Sequence, residues 1–416
     1  MCIAPKCLNG AETRRILDKS MELITTSDQL KAVCDEFATD DFITVDTEFM
    51  RETTFWPQLC LIQAAGAKRA VIIDPLAQGL DLAPFFELMR NERVLKVFHA
   101  ARQDIEIIVY LARVVPKPIF DTQVAAMVCG FGEQVGYENI VRKLAGATID
   151  KSSRFTDWSR RPRSTKQLEY ALADVTHLRT VYKKLKKKLD ASGRESWLDE
   201  EMAILTSEST YRTEPEDAWR RMKFRARDKR TLAIFMEVAA WREREAQERN
   251  VPRSRILKDD ALAEIAQHAP KSIEDLRSFR AVPRGFADSR MGAAVLAAVE
   301  RGRAADLKSI PRPDEVPARE SSGALGDILR LALKVVAQSQ GVAPKLIASS
   351  SDLDAIAADD NADIPAMHGW RRTIFGEVAL GIKRGQLGII FEKGEARILA
   401  REKIGRTRVL DTASGA

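Results

Sequence analysis

The sequence predicts an α/β domain, a mixed sheet flanked by helices, followed by two small all-α domains. Between Ser27 and Leu111, short runs rich in β-branched residues alternate with segments of helical periodicity, the pattern of strands covered by helices. Beyond Thr213 the pattern is helical throughout. Within that half, a shift of 91 residues lays Asn250–Ala266 (NVPRSRILKDDALAEIA) over Gly341–Ala357 (GVAPKLIASSSDLDAIA). Val251 then matches Val342, Ile256 matches Ile347, Leu262 matches Leu353 and Ile265 matches Ile356. Two copies of one helical unit account for the repeat.

Taken in order, residues 1–20 carry no periodic pattern and read as a disordered tail or as sequence upstream of a start at Met21. Thr26-Ser27-Asp28 caps a helix that runs to about Phe37. Ile43–Phe49 is a strand, continued as a meander by Leu59–Gln63 and by Ala70–Ile73, which ends in the turn pair Asp74-Pro75. Leu82–Arg90 has helical spacing, Val94–His99 reads as a buried strand, and Ala101–Leu111 as a strongly apolar helix. A long helix opens at Thr165, with Leu168, Ala171, Leu172, Val175, Leu178, Val181, Tyr182 and Leu185 on its apolar face. Its last turns hold Lys183, Lys184, Lys186, Lys187 and Lys188, either a solvated basic face or a face for phosphates. A second basic stretch, Arg220 to Arg230, enters the helical half and is a further candidate to track a phosphate backbone. Ile310–Pro317 is proline-rich and charged, as a linker is. Leu387–Lys403 alternates around Lys393-Gly394 as a β-hairpin would. The expected domains are therefore 21–212, 213–305 and 321–416, the last with a C-terminal tail, and 306–320 is the linker.

A chain of 416 residues with 45% hydrophobic content has material for several packed cores. No apolar run is long and uncharged enough to span a bilayer, and the N-terminus lacks the apolar centre of a secretory signal, so the expected location is the cytoplasm. The five cysteines, Cys2, Cys7, Cys34, Cys60 and Cys129, include no CxxC pair and read as reduced thiols. With only four histidines, any metal site is expected to be built from carboxylates. The net charge of +6 suits a polyanionic partner. No phosphate-binding P-loop or nucleophile elbow competes.

Strand side chains alternate, so Asp46 and Glu48 share one face while Thr47 points to the other. Two like charges side by side are costly unless a cation lies between them or water solvates both, and the pair alone fits either case. A third carboxylate, Asp104, follows the strand that ends at His99, while Tyr170 and Asp174, at i and i+4, share a helical face. Singly, Asp104 and Asp174 are more often caps or surface carboxylates, and Tyr170 has a core-packing alternative. Their order distinguishes them: D-x-E, then D after a strand, then Y-x-x-x-D on a helix.

That order resembles the three-motif signature of the DEDD exonucleases, in the tyrosine-containing subclass. Within it the chain is similar to the ribonuclease D family in VDTEFMRETTFWPQLCLIQ, VFHAARQDIEII and YALADVTHL, and in Asp157-Trp158 through Arg161-Pro162 ahead of the third motif. The likeness spans roughly Met21 to Gly385. The helical repeats resemble the nucleic-acid-binding HRDC domain shared by helicases and ribonuclease D, the second copy being more divergent. Related exonucleases often place an asparagine shortly before the second-motif aspartate, where this chain has His99 and Ala100.

The resemblance implies a ribonuclease H-like exonuclease domain and a 3′–5′ exoribonuclease that hydrolyses phosphodiester bonds by two-metal-ion catalysis, releasing 5′-mononucleotides. It implies a role in maturing tRNA 3′ ends, with RNA, tRNA precursors in particular, as the partner of a monomer. Carried over, Asp46, Glu48, Asp104 and Asp174 are the ligands of two divalent cations, Mg²⁺ or Mn²⁺, and Tyr170 orients the attacking water. Thr47, Phe49, Met50, His99 and Gln103 flank these residues as candidate contacts to the terminal nucleotide, although Phe49 and Met50 fit the core equally well. A 3′–5′ DNA exonuclease stays open, because the metal chemistry is indifferent to the 2′-hydroxyl unless a contact reads it. A catalytically silent RNA-binding protein on the same fold is expected to lack one or more of the four carboxylates, and all four are present.

Overall fold

The computed structural model of the chain describes residues 22–150, 152, 156–212, 214–312 and 323–401. The expected N-terminal tail, the start at Met21 and residues 313–320 of the expected linker lie outside the described residues. Strands β1 (Glu22–Ile24), β2 (Phe42–Met50), β3 (Gln58–Ala65), β4 (Ala70–Ile73), β5 (Leu95–Phe98) and β6 (Ile119–Asp121) form one sheet in the order β1-β4-β3-β2-β5-β6. β2, β3 and β4 are antiparallel neighbours, whereas β1 runs parallel to β4 and β5 parallel to β2, so the sheet is mixed. Three-residue β1 is too short to show a period in the sequence.

The helices of the first half are α1 (Ser27–Phe37), α2 (Ala83–Arg90), α3 (Arg102–Ala112), α4 (Thr122–Val128), α5 (Tyr137–Ala145), α6 (Thr165–Ser192) and α7 (Glu195–Leu205). The second half has α8 (Lys229–Glu248), α9 (Arg253–Ile256), α10 (Asp259–His268), α11 (Ile273–Ser278), α12 (Arg290–Ala304), α13 (Gly323–Gln340), α14 (Pro344–Ile347), α15 (Ser350–Ala358), α16 (Gly369–Arg371) and α17 (Glu377–Lys383). The chain forms two compact units. Of the described residues, one comprises 22–120 with those of 149–179 and 203–312, the other 121–148, 180–202 and 323–401. The segment 21–212 thus contributes to both.

In the first unit, Thr26 caps α1 by accepting from Gln29 N–H, and Ile43 and Val45 of β2 are fully buried. Helix α8 is buried nearly all round, and α12 packs so closely on it that a Cβ at Gly302 would lie 2.5 Å from Ile234 Cα. The loop after β2 enters this helical cluster: Phe55 is buried there, with the Arg253 guanidinium 4.5 Å from its ring centroid. Next to it, Trp56 donates its backbone N–H to Asn250 Oδ1 at 2.9 Å and stacks on Tyr110 of α3.

Three cations of the basic entry at Arg220–Arg230 are engaged by the fold, while Arg220, Lys223, Arg225 and Arg227 are exposed. Arg221 pairs with buried Glu243, Lys229 donates to Leu307 O, and Arg230 donates to Gly302 O and Ala305 O. Lys229 and Arg230 thereby satisfy carbonyls at the end of α12 and beyond it. Ile310, at the head of the expected linker, is buried in the same cluster.

In the second unit, the shift of 91 residues carries α9 onto α14 and the start of α10 onto the start of α15. Ile256, Leu262 and Ile265 are buried, and so are Ile347, Leu353 and Ile356. After α15 the copies part, the second continuing through a 3₁₀ turn at Pro365–Met367 and a π turn at Arg372–Gly376. The chain then forms a hairpin of β7 (Leu387–Glu392) and β8 (Glu395–Ala400). Its turn residues Lys393 (φ 55°) and Gly394 (φ 84°) both have positive φ, as a two-residue type I′ turn requires.

Candidate active site

Strand β2 lies against α6 on one face and reaches α3 on the other. On the first face Thr44 Oγ1 donates to Val175 O at 2.8 Å, and Arg179 Nη1 donates to Ala65 O at 2.9 Å. Asp46 and Glu48 follow Thr44 at strand period and share that face. There, one carboxylate oxygen from each of Asp46, Glu48 and Asp174 lies within 4.8 Å of the other two. On the opposite face Thr47 Oγ1 donates to Asp104 Oδ1 at 2.5 Å, in the first turn of α3. The β2–β3 register slips between Glu48, opposite Leu61, and Phe49, opposite Leu59, so a bulge ends the regular pairing beside the carboxylates.

The electrostatics match this crowding. Burial pushes the Asp46 carboxyl well above the ordinary aspartate range; the charges of Asp104 and then Asp174 raise it further, and a hydrogen bond from the Thr47 backbone works against them. Asp104 and Asp174 are themselves buried. Among the described residues, Asp46, Glu48 and Asp174 are the acidic, histidine or cysteine side chains that converge in this way. The donor set is all oxygen and anionic, which fits a hard divalent cation and relieves the repulsion around Asp46.

The side chains of α6 are set by packing and by a clamp at its entry. The ring of Tyr170 stacks on Trp158 with centroids 6.3 Å apart and packs against a cluster of Cys60, Leu61, Ile72, Ala171 and Leu172. Just before the helix, Arg161 donates to both carboxylate oxygens of Asp74 at 2.8 and 2.6 Å, and Arg163 Nη1 donates to Asp74 Oδ2 at 2.9 Å. Both arginines also donate to Cys60 O, at 3.0 and 2.6 Å. The segment carrying Trp158 is thereby fastened to β3 and to the end of β4.

Sequence reasoning treats Asp74 only as a turn residue. The hint it passes over is the pair Arg161 and Arg163 straddling a proline ahead of the third motif. A second unread pair joins Arg51, just after β2, to Glu106 of α3 through two hydrogen bonds at 3.0 and 2.8 Å.

Among the candidate substrate contacts, Thr47 is buried and bonded to Asp104. Met50 packs against the Trp158 cluster, in line with its core reading, and Phe49 is half-buried. His99 is half-buried at the end of β5 and Gln103 is exposed in the first turn of α3. Between them Ala100 adopts φ 61°, a left-handed conformation that asparagine and glycine tolerate better.

Residues 21–190 match the family model of 3′–5′ exonucleases, and residues 231–299 match that of the HRDC domain. With the mixed sheet and the carboxylate cluster, these matches define a metal-dependent 3′–5′ exonuclease joined to an HRDC domain. Ribonuclease D of Nitrobacter hamburgensis is 53% identical over 374 residues, covering 90% of this chain and 98% of that protein. Ribonuclease D of Zymomonas mobilis is 43% identical over 390 residues, covering 92% and 98%. The crystal structure of Escherichia coli RNase D, an exoribonuclease involved in structured RNA processing, aligns with a TM-score of 0.77 at 29% identity, covering 88% of this chain and 99% of that one. The chain belongs to the ribonuclease D family of metal-dependent 3′–5′ exoribonucleases. No helix among the described residues is long and apolar enough to cross a membrane.

Proposed function

We propose that this protein, a cytoplasmic monomer, trims the 3′ ends of structured RNA, tRNA precursors among them, releasing 5′-mononucleotides with the help of two divalent cations, Mg²⁺ or Mn²⁺. The observation that carries the reading is the convergence of Asp46, Glu48 and Asp174 to within 4.8 Å in a chain of this family. The structured-RNA role of the Escherichia coli relative supports the substrate class, and tRNA precursors are what the family resemblance implies.

In this reading Asp46, Glu48, Asp104 and Asp174 would together hold the two ions. Bound there, such ions neutralise charge between an anionic nucleophile and an anionic phosphate and lower the pKa of water. The Thr47 hydroxyl fixes one oxygen of Asp104 and so sets the direction in which its carboxylate points. The phenol of Tyr170, one helical turn before Asp174, orients the attacking water by a hydrogen bond, and its ring is kept in place by Trp158. Thr47, Phe49, Met50, His99 and Gln103 remain the candidate contacts to the terminal nucleotide, with Gln103 the most exposed of them. Residues 213–305 act as the first HRDC-like domain and 321–416 as a second, divergent one. The exposed face of Lys183, Lys184, Lys187 and Lys188 follows the RNA backbone.

The test is digestion of a tRNA precursor with a 3′ extension. Stepwise shortening with release of 5′-mononucleotides is expected in Mg²⁺ or Mn²⁺, and none in chelator or with Asp46→Asn. Activity that survives either change overturns the metal-hydrolase assignment. Equal rates on a single-stranded DNA of the same sequence reassign the substrate.

A further inference from the structure

In the second unit, the turn between α4 and α5 presents Phe131 between two glycines of positive φ, Gly130 at 77° and Gly132 at 106°. This turn meets the one between α13 and α14. Ala343 N–H donates to Met127 O at 3.1 Å, and a Cβ on Gly130 would fall 2.5 Å from Gly341 O, so the approach needs glycine there. The meeting leaves a cleft of about 370 Å³, floored by Gly130, Gly132 and Gly341 and walled by Lys334 and Gln338 of α13. Beside it Phe131 is half-exposed, with Lys143 Nζ 5.9 Å and Lys188 Nζ 5.0 Å from its ring centroid.

The surroundings are cationic. Arg194 donates to Val128 O and Gln340 O, and Lys184 donates to Leu144 O. Glu133, the acid in this turn, accepts from the Lys345 backbone N–H. Lys143, Lys188 and Lys334 all have exposed side chains.

We propose that this turn and cleft form an additional binding site for one nucleotide of single-stranded RNA, the base stacking on Phe131 and the flanking phosphates meeting Lys143, Lys188 and Lys334. The proposal rests on RNA being the substrate and adds a site to the hydrolytic one. Magnitudes favour the exchange. An exposed cation–π contact is worth about 2–5-fold in affinity, whereas a base stacked on an aromatic ring is worth about 5–150-fold. The lysines are long and exposed, so they swing from the ring to a phosphate and their mutual repulsion is relieved as they do. An acidic peptide would answer the charge but bring no planar group to the ring and the glycine-floored cleft.

The test uses the full-length protein in chelator, which stops hydrolysis, and follows fluorescence anisotropy of a labelled single-stranded RNA across a salt series. Phe131→Leu, which keeps apolar bulk for packing, weakens binding about tenfold or more. The double variant Lys143→Ala/Lys334→Ala makes the slope of log affinity against log salt shallower by about 1.4, or about 0.7 for each phosphate left without its lysine. Both variants melt at the wild-type temperature and, with metal restored, cut a dinucleotide at the wild-type kcat/KM. Wild-type affinity and slope in both variants, with long RNA still hydrolysed, overturn this site alone. A wild-type protein that neither binds nor cuts RNA overturns the underlying reading with it. Equal competition by an acidic peptide of matching charge assigns the surface to a protein partner and overturns the proposal.

Discussion

Two aspartates of the same sheet meet their charge in opposite ways. Asp74, at the end of β4, accepts four guanidinium N–H bonds from Arg161 and Arg163 and one from the Leu76 backbone. Asp46, in the middle of β2, shares its face with Glu48 and Asp174, and its pKa, raised by burial, is raised further by the charge of Asp104. The first carboxylate is neutralised by the chain itself, and its arginines double as fasteners for the segment that leads into α6. The second is left among like charges, which costs stability in the metal-free protein and is useful only if a cation arrives. The contrast separates a carboxylate that fastens the segment leading into α6 from one that we propose works in hydrolysis.

Asp46→Asn gives the largest effect and breaks the comparison at its functional end. We expect kcat to fall by about 10³-fold or more, the equivalent of roughly 4 kcal/mol of transition-state stabilisation. In chelator the same variant melts higher than the wild type, because a repulsive charge is gone. The pH dependence has a definite sign. A raised folded-state pKa means that the Asp46 contribution to stability is fully present below the ordinary value of 3.8 and is lost as pH rises through the raised value. Melting curves of the metal-free wild type therefore decline over that window more steeply than those of Asp46→Asn. Identical pH profiles would show that the cluster stores no repulsion.

Asp74→Ala comes next and acts on stability. It leaves Arg163, whose side chain is 3% exposed, without its carboxylate, and removal of one partner from a buried ion pair costs about 3–5 kcal/mol. Urea unfolding measures this directly. A loss comparable to that of an exposed pair, below about 1 kcal/mol, would mean that the clamp is not what holds the entry to α6.

The carboxylate proposed to work is readable from the sequence and the structural one is not, for a physical reason. Asp46 and Glu48 share a face because strands alternate, and Tyr170 and Asp174 share one because helices turn every 3.6 residues. The same locality made the 91-residue repeat and the Lys393-Gly394 turn legible. Arg161 and Arg163 reach Asp74 across 87 and 89 residues of sequence, a separation over which no period survives. Phe55, in the loop after β2, is likewise buried among helices that begin far downstream, a contact no local period announces. Charge composition fails in a related way at Arg221, Lys229 and Arg230. A guanidinium or ammonium that satisfies a buried carboxylate or a carbonyl looks, in sequence, like one that waits for phosphate.

Thr47→Val probes how the two faces of β2 cooperate. The change preserves shape and removes the donor to Asp104 Oδ1, and hydrogen bonds to charged groups are worth about 1.5–3 kcal/mol. If Thr47 aims that carboxylate, kcat falls about tenfold and more Mn²⁺ is needed for half-maximal rate, while Thr47→Ser restores both. An unchanged metal titration would reduce Thr47 to packing and leave the two faces independent.

The smallest effect is expected at Ala100, in the turn that delivers α3 and Asp104. Its φ of 61° is costly for a residue with a Cβ, and its side chain is exposed. Ala100→Gly removes the strain but adds unfolded-state entropy, so the net gain in stability is at most about 1 kcal/mol. Because the backbone already holds the conformation that glycine prefers, kcat should stay at the wild-type value while the melting temperature rises slightly. Should kcat drop instead, the stiffness that alanine gives this turn is part of how Asp104 is held, and the division between the carboxylate that builds and the carboxylates that work would have to be redrawn to include the turn beneath α3.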